Sequence, residues 1–267
     1  MSKNQKPSAD FAGAYREAGQ ILGIRGNRLL LIEAILISLL TVLLYVFLCD
    51  TYMVMLGYWM YGTDLFLSVA LSALLEALIS LLTLFFTLPL LIGLFGLAGD
   101  MERGGASVLA DLFAPFSTAQ SYRRALSLSW GAFWRFGLIV LAVRLTCSFG
   151  VVFFEGSLLA GLICGVLVAV EIIVGLCLTG RCFSSMATAH ASGLPIKAAR
   201  AHAKATWRMC RTGGAIFVLN LLPRILLGLL TLGVLLLWET LPRMLVAYFR
   251  YCRYMNEFTI RSEEYKQ

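Results

Sequence analysis

The feature that most limits what this chain can fold into is a series of apolar runs long enough to leave water altogether. Residues 29–49 form one, interrupted in charge only by Glu33, and residues 65–99 form another whose single charge is Glu76. About 20 consecutive apolar residues suffice for a helix to cross a bilayer. Hydrophobic residues reach 60% and charged residues only 14%, against about 45–50% and about 25% in an ordinary soluble domain. A water-soluble fold of this size still exposes a large share of its surface and could not hide so much apolar area. In lipid every backbone N–H and C=O needs an internal partner, which leaves helices or closed barrels. Unbroken runs, rather than short alternating segments, point to helices. The expected class is therefore an all-α, polytopic membrane protein.

The first 28 residues read as a cytoplasmic, amphipathic segment. They show no short apolar core followed by a small-residue cleavage site, so the first span is expected to insert as an uncleaved signal anchor. Phe11, Tyr15, Ala18 and Leu22 recur at steps of three and four, which predicts a helix lying on the membrane surface. After the first span at 29–49, residues 50–64 are rich in Tyr and Trp, as in an interfacial belt. The run at 65–99 is too long for one straight crossing at about 1.5 Å per residue. Pro89 offers a kink or an end, so the second span is set at 65–88. Gly93, Gly96 and Gly99 on the remainder would permit close helix approach. A short surface helix is expected at 107–116.

Spans three and four fall at 130–154 and 157–180, with a tight outer turn at Glu155 and Gly156. Gly161 and Gly165 form a lone GxxxG, which reads equally as a packing motif or as coincidence. Residues 213–238 admit either one bent span or a hairpin turning near 231–233. A single crossing would place Arg243, Arg250, Arg253, Arg261 and Lys266 outside, against the positive-inside tendency. The hairpin is preferred, giving a fifth span at 213–230, a short sixth at 234–249 and a cytoplasmic tail at 259–267. About six spans, with both termini inside and one transmembrane domain over 29–258, result. In that layout eighteen of the 22 Lys and Arg residues lie in cytoplasmic segments and none in the outer connectors.

Residues 194–211 form the clearest amphipathic element. Lys197, Arg200, Lys204, Arg208 and Arg211 make one basic stripe, beside an apolar one of Ile196, Ala199, Ala203, Trp207 and Cys210. Such a helix is expected in the headgroup plane with its cations toward anionic phospholipid. An ordinary positive loop that merely fixes topology accounts for the same pattern. A nucleic-acid partner is not expected, because the net charge of +7 is spread over membrane-flanking segments.

Charges at membrane depth are the remaining feature. Glu76, Arg144, Glu171, Arg224, Glu239 and Arg243 each cost about 2.5–3.5 kcal/mol if isolated at mid-helix. Together they would exceed a domain's net stability of about 5–15 kcal/mol, so they must pair, snorkel or line a wet cavity. Arg144 is expected near Glu76 or Glu171, and Arg224 near Glu171 or Glu239. Glu239 and Arg243 stand four apart in the favourable acid-first order. The network is read first as a neutralised polar core and secondly as a pathway or binding site for an ion, proton or small solute.

No HExxH, GxSxG or P-loop is present. Neither histidine belongs to a metal motif, and the seven cysteines lack paired spacing, so they read as packing residues rather than disulfides or ligands. No metal, cofactor or catalytic residue is expected. No second half repeats the first, which lowers the case for a repeat-built transporter.

Several short patterns in order carry a family resemblance: AGQILGIRGN at 18–27, PLLIG at 89–93, LADLFAPF at 109–116, PIKAARAHAK at 195–204, and LTLG at 230–233 with Pro242 beyond it. The chain resembles a bacterial family of uncharacterised multi-pass membrane proteins, catalogued as domain of unknown function 975. It departs from that pattern at Arg243, where an aromatic would follow the late proline, and in the loose match of Tyr251 and Tyr254 to a later aromatic pair. The resemblance implies a multi-pass protein of the bacterial plasma membrane and transfers no catalytic residue. The resulting expectation is a non-enzymatic membrane protein whose partners are the bilayer, anionic headgroups and a further membrane protein. A small transporter built around the buried Glu and Arg residues is the alternative.

Overall fold

The computed structural model describes residues 11–24, 26–59, 65–153, 157–209 and 233–264, with isolated positions between 223 and 231. It is all-helical, with no strand among the described residues. In chain order the elements are α1 (Phe11–Gly23), α2 (Asn27–Trp59), α3 (Leu65–Glu102), a 3-10 helix (Leu109–Phe116), α4 (Ala119–Phe153), α5 (Leu158–Ser192) and α6 (Ile196–Met209). A π-helical turn (Leu236–Thr240) then leads into α7 (Leu241–Glu264). The predicted fifth span at 213–230 lies almost wholly outside the described residues.

Four helices run well past the spans set for them. The Tyr- and Trp-rich stretch expected as a connector is helical through Trp59. Likewise α3 continues through Pro89 to Glu102. Leu, Ala and Met favour helix, and neither stretch holds a residue pair strong enough to stop it. Pro89 removes one backbone donor, a loss that long apolar helices absorb through neighbouring groups. Local chemistry explains where the helices do end. Past α3, Gly104 takes a positive φ of 75°, and the Gly105 N–H reaches the Asp100 carbonyl at 2.9 Å, a Schellman closure. Asp111 then accepts from the Val108 N–H at 2.9 Å, and the Thr118 hydroxyl caps α4 by accepting from the Ser121 N–H at 3.0 Å. Gly193, also at positive φ, closes α5, and Pro195 opens α6.

Three described stretches are long and apolar enough to cross a membrane: Asn27–Leu44, Leu81–Glu102 and Gly161–Ala191. A fourth is present if the bent pair within α4 is taken as one span. The region of the predicted sixth span is different. Thr231 and Gly233 are in turn conformation, and the Val234 N–H bonds the Thr231 carbonyl at 3.2 Å. The α7 helix that follows the π turn is not among the candidate spans, because Arg243, Arg250, Arg253 and Glu257 divide its length.

The contacts divide the chain into two compact units. The first comprises Met1–Ser38, Leu90–Leu128 and Arg181–Gln267. Its core holds Leu31, Leu90, Leu97, Met101, Leu112 and Val246, with Phe95 stacked on Phe183 and Phe183 edge-on to Tyr248. Within it α7 packs on α1 and α6. A Cβ at Gly93 would collide with the Leu112 carbonyl oxygen, and one at Gly99 would stand 2.5 Å from the Phe249 ring. These two glycines therefore set how closely the 3-10 helix and α7 approach α3. Beside Gly96 nothing lies within 4 Å.

The second unit comprises Leu39–Pro89 and Ser129–Gly180. Phe85 meets Phe133 at 4.4 Å between ring centroids, Trp130 stacks on Phe133, and Leu81 fills the notch left by Gly137. Its outer faces are apolar: Leu71, Leu74, Leu78 and Leu82 on α3, and Leu158, Leu162, Val166, Val170 and Ile173 on α5, all exposed. Exposed apolar faces this long are untenable in water and suit a lipid surface. Gly161 and Gly165 also face open space, so the GxxxG makes no helix contact among the described residues.

Candidate functional site

The sequence singles out two groups of residues, and the structure treats them differently. On α6, Ala199 and Ala203 are fully buried, in a helix that packs on α7. The Ala199 and Ala203 part of the apolar stripe is thus covered by protein. Lys197 and Lys204 are exposed and Arg200 is half-buried. The side chain of Arg208, and Arg211 entirely, lie outside the described residues. On α1, likewise, Tyr15, Ala18 and Leu22 of the predicted apolar face are buried, on a helix packed against α7.

Of the six candidate membrane charges, the structure brings together Glu239 and Arg243. The Arg243 guanidinium donates to Glu239 Oε1 at 2.8 Å, one helical turn apart. Arg28 pairs with the other Glu239 oxygen at 3.4 Å. Arg243 Nε donates to the Tyr15 carbonyl at 2.8 Å, and its guanidinium lies over the Tyr15 ring at 4.3 Å. Gly19 lets the guanidinium lie close, since a Cβ there would stand 2.7 Å from it. Arg243 thus stitches α1 to α7. Glu171 is half-buried and makes no ion pair among the described residues. The side chains of Glu76 and Arg144, and all of Arg224, lie outside them.

The sequence reading missed a second charge cluster. Glu102, at the end of α3, has a side chain only 4% exposed, and it accepts from Arg253 at 2.7 Å and faces Arg250 at 3.6 Å. Arg250 also pairs with Glu17 of α1, and the Tyr254 hydroxyl bridges Arg250 at 3.1 Å and Glu17 at 3.2 Å. Arg253 closes the set on Glu257 at 3.1 Å. Burial disfavours the Arg250 charge, but the Tyr254 hydroxyl, Glu17 and Glu102 outweigh it and hold its pKa above the ordinary value. Arg253 is raised chiefly by its bond to Glu102. A raised folded-state pKa contributes stability below the ordinary arginine value and loses it only as pH passes the raised one, so this cluster is no switch at working pH. Its legible signal was the recurrence of Arg250, Arg253 and Glu257 at steps of three and four on one helix.

Among the described residues no group of His, Cys, Asp and Glu has the arrangement of a metal site. What the arrangement offers chemically is two things: a cationic helix face held outward, and an ion-paired clasp joining α1, α3 and α7. No family model, no curated protein and no solved structure matches the chain.

Proposed function

We propose that this chain is a non-enzymatic, multi-pass protein of the bacterial plasma membrane, crossing six times with both termini inside, and that α6 presents a basic face to anionic phospholipid headgroups. The observation that carries the reading is on α6. With Ala199 and Ala203 consumed by protein packing, the exposed Lys197 and Lys204 are held outward by a docked helix. A cation near an anionic bilayer surface contributes about 1 kcal/mol, so Lys197, Arg200 and Lys204 together bias the local lipid composition. The six-span layout, with its last two crossings at 213–230 and 234–249, rests on the one-sided distribution of Lys and Arg. The resemblance to domain of unknown function 975 supports the bacterial membrane, and the exposed face of α6 also suits an acidic membrane-protein partner.

The test is lipid retention by the purified full chain in nanodiscs of mixed phosphatidylglycerol and phosphatidylcholine. The reading expects phosphatidylglycerol to be enriched around the protein, and the enrichment to fall on combining Lys197→Gln, Arg200→Gln and Lys204→Gln. Equal enrichment in both proteins would overturn it. The transport alternative rests on Glu76, Arg144, Glu171 and Arg224, of which the described side chains include Glu171.

A further inference from the structure

The first unit contains a cavity of about 490 Å³, bounded by α3, the 3-10 helix, the start of α4 and the end of α5. Its size falls within the range of small-ligand sites. Gly96 lies in its wall, and of the three spaced glycines on α3 it is the one whose missing side chain no neighbour fills. A leucine there would have been compatible with the helix and would have closed the space.

The charges around this cavity are unequally satisfied. Asp100 is neutralised by Arg103 at 2.6 Å. Asp111 spends one oxygen on the Val108 N–H and makes no ion pair among the described residues, and neither does Arg124. Both line the cavity, yet they do not pair with each other. The lining also offers apolar contact at Leu97, Leu128 and Met186, with Ser121 and His190 beside them. One carboxylate and one guanidinium that line the same cavity without pairing, together with apolar side chains, are complementary to a molecule that carries both signs and an apolar tail.

We infer that this cavity binds a zwitterionic amphiphile, its ammonium on Asp111, its phosphate on Arg124, and the start of an acyl chain on the Leu97, Leu128 and Met186 wall. The site is separate from the basic face of α6 and does not depend on it. A purely anionic headgroup would leave Asp111 facing like charge, and a small amino acid would leave the wall uncovered.

The probe is radiolabelled lysophosphatidylethanolamine, bound to the detergent-solubilised full chain. Saturable binding is expected, with affinity falling about tenfold or more in Arg124→Gln and in Asp111→Asn, the loss typical of a hydrogen bond to a charged group. Asp111→Asn keeps an oxygen for the Val108 N–H. Gly96→Leu should abolish binding while the thermal midpoint stays at or above that of the parent, and Arg16→Ala, on the exposed side of α1, should leave binding unchanged. Lysophosphatidylglycerol should bind about tenfold more weakly, and free leucine should not compete. Binding that survives all three cavity substitutions, equal binding of lysophosphatidylglycerol, or displacement by leucine would each overturn the assignment.

Discussion

Gly93, Gly96 and Gly99 share one stretch of α3 and have three different surroundings, so they should respond differently to the same methyl group. Gly93→Ala drives a Cβ into backbone, at the Leu112 carbonyl, and Gly99→Ala drives one into the Phe249 ring. Overpacking of this kind costs about 1–3 kcal/mol. Gly96→Ala meets open space and should gain about 0.5–1 kcal/mol from the helix preference of alanine. Thermal unfolding in detergent reads all three, and a uniform loss would contradict the packing described. The sequence could place these glycines together but could not say what faces each, because that depends on chain segments far away. The same is true of charge. Glu239 and Arg243 were legible as a pair because both lie on one helix. Glu102 with Arg253 was not, since 151 positions separate them. Glu102→Gln replaces a buried carboxylate that holds two arginines, and should cost about 1.5–3 kcal/mol in the same assay. A change within about 0.5 kcal/mol, the range of an ordinary surface substitution, would show that the clasp contributes nothing.

Amphipathic elements teach a related lesson. In α1 and α6 the spacing of apolar residues predicts a face that leaves water, and Tyr15, Ala18 and Leu22 in the one and Ala199 and Ala203 in the other are buried. Periodicity reports that a face leaves water; it does not report what covers it. Here α7 covers both. The composition of α7 fits that role: it supplies apolar contacts to α1 and α6 while carrying the arginines that bind Glu239, Glu102 and Glu17. Substitution at the α1 interface gives the check. Ala18→Leu, at a fully buried position, should cost about 1–3 kcal/mol by overpacking, whereas Arg16→Ala on the exposed side should stay within about 0.5 kcal/mol. Were α1 instead lying on lipid, Ala18→Leu would strengthen its apolar face and raise the midpoint.

At the scale of the whole molecule, helical class and long apolar helices were legible from unbroken hydrophobic runs, since lipid imposes internal hydrogen bonding on everything it surrounds. Helix ends were less legible. Apolar composition marks where a chain can sit in a bilayer, but a helix continues beyond that zone until a cap, a positive-φ glycine or a proline stops it, as at Gly104 and Gly193. The central claim is that the cation-bearing segments share one side of the membrane. Single cysteines introduced at Lys197 and at Asp64, in a variant lacking the seven native cysteines, can be labelled in intact cells with a membrane-impermeant maleimide. The account predicts that position 64 labels from outside and position 197 only after the membrane is opened. Labelling of both positions from the same side would contradict it.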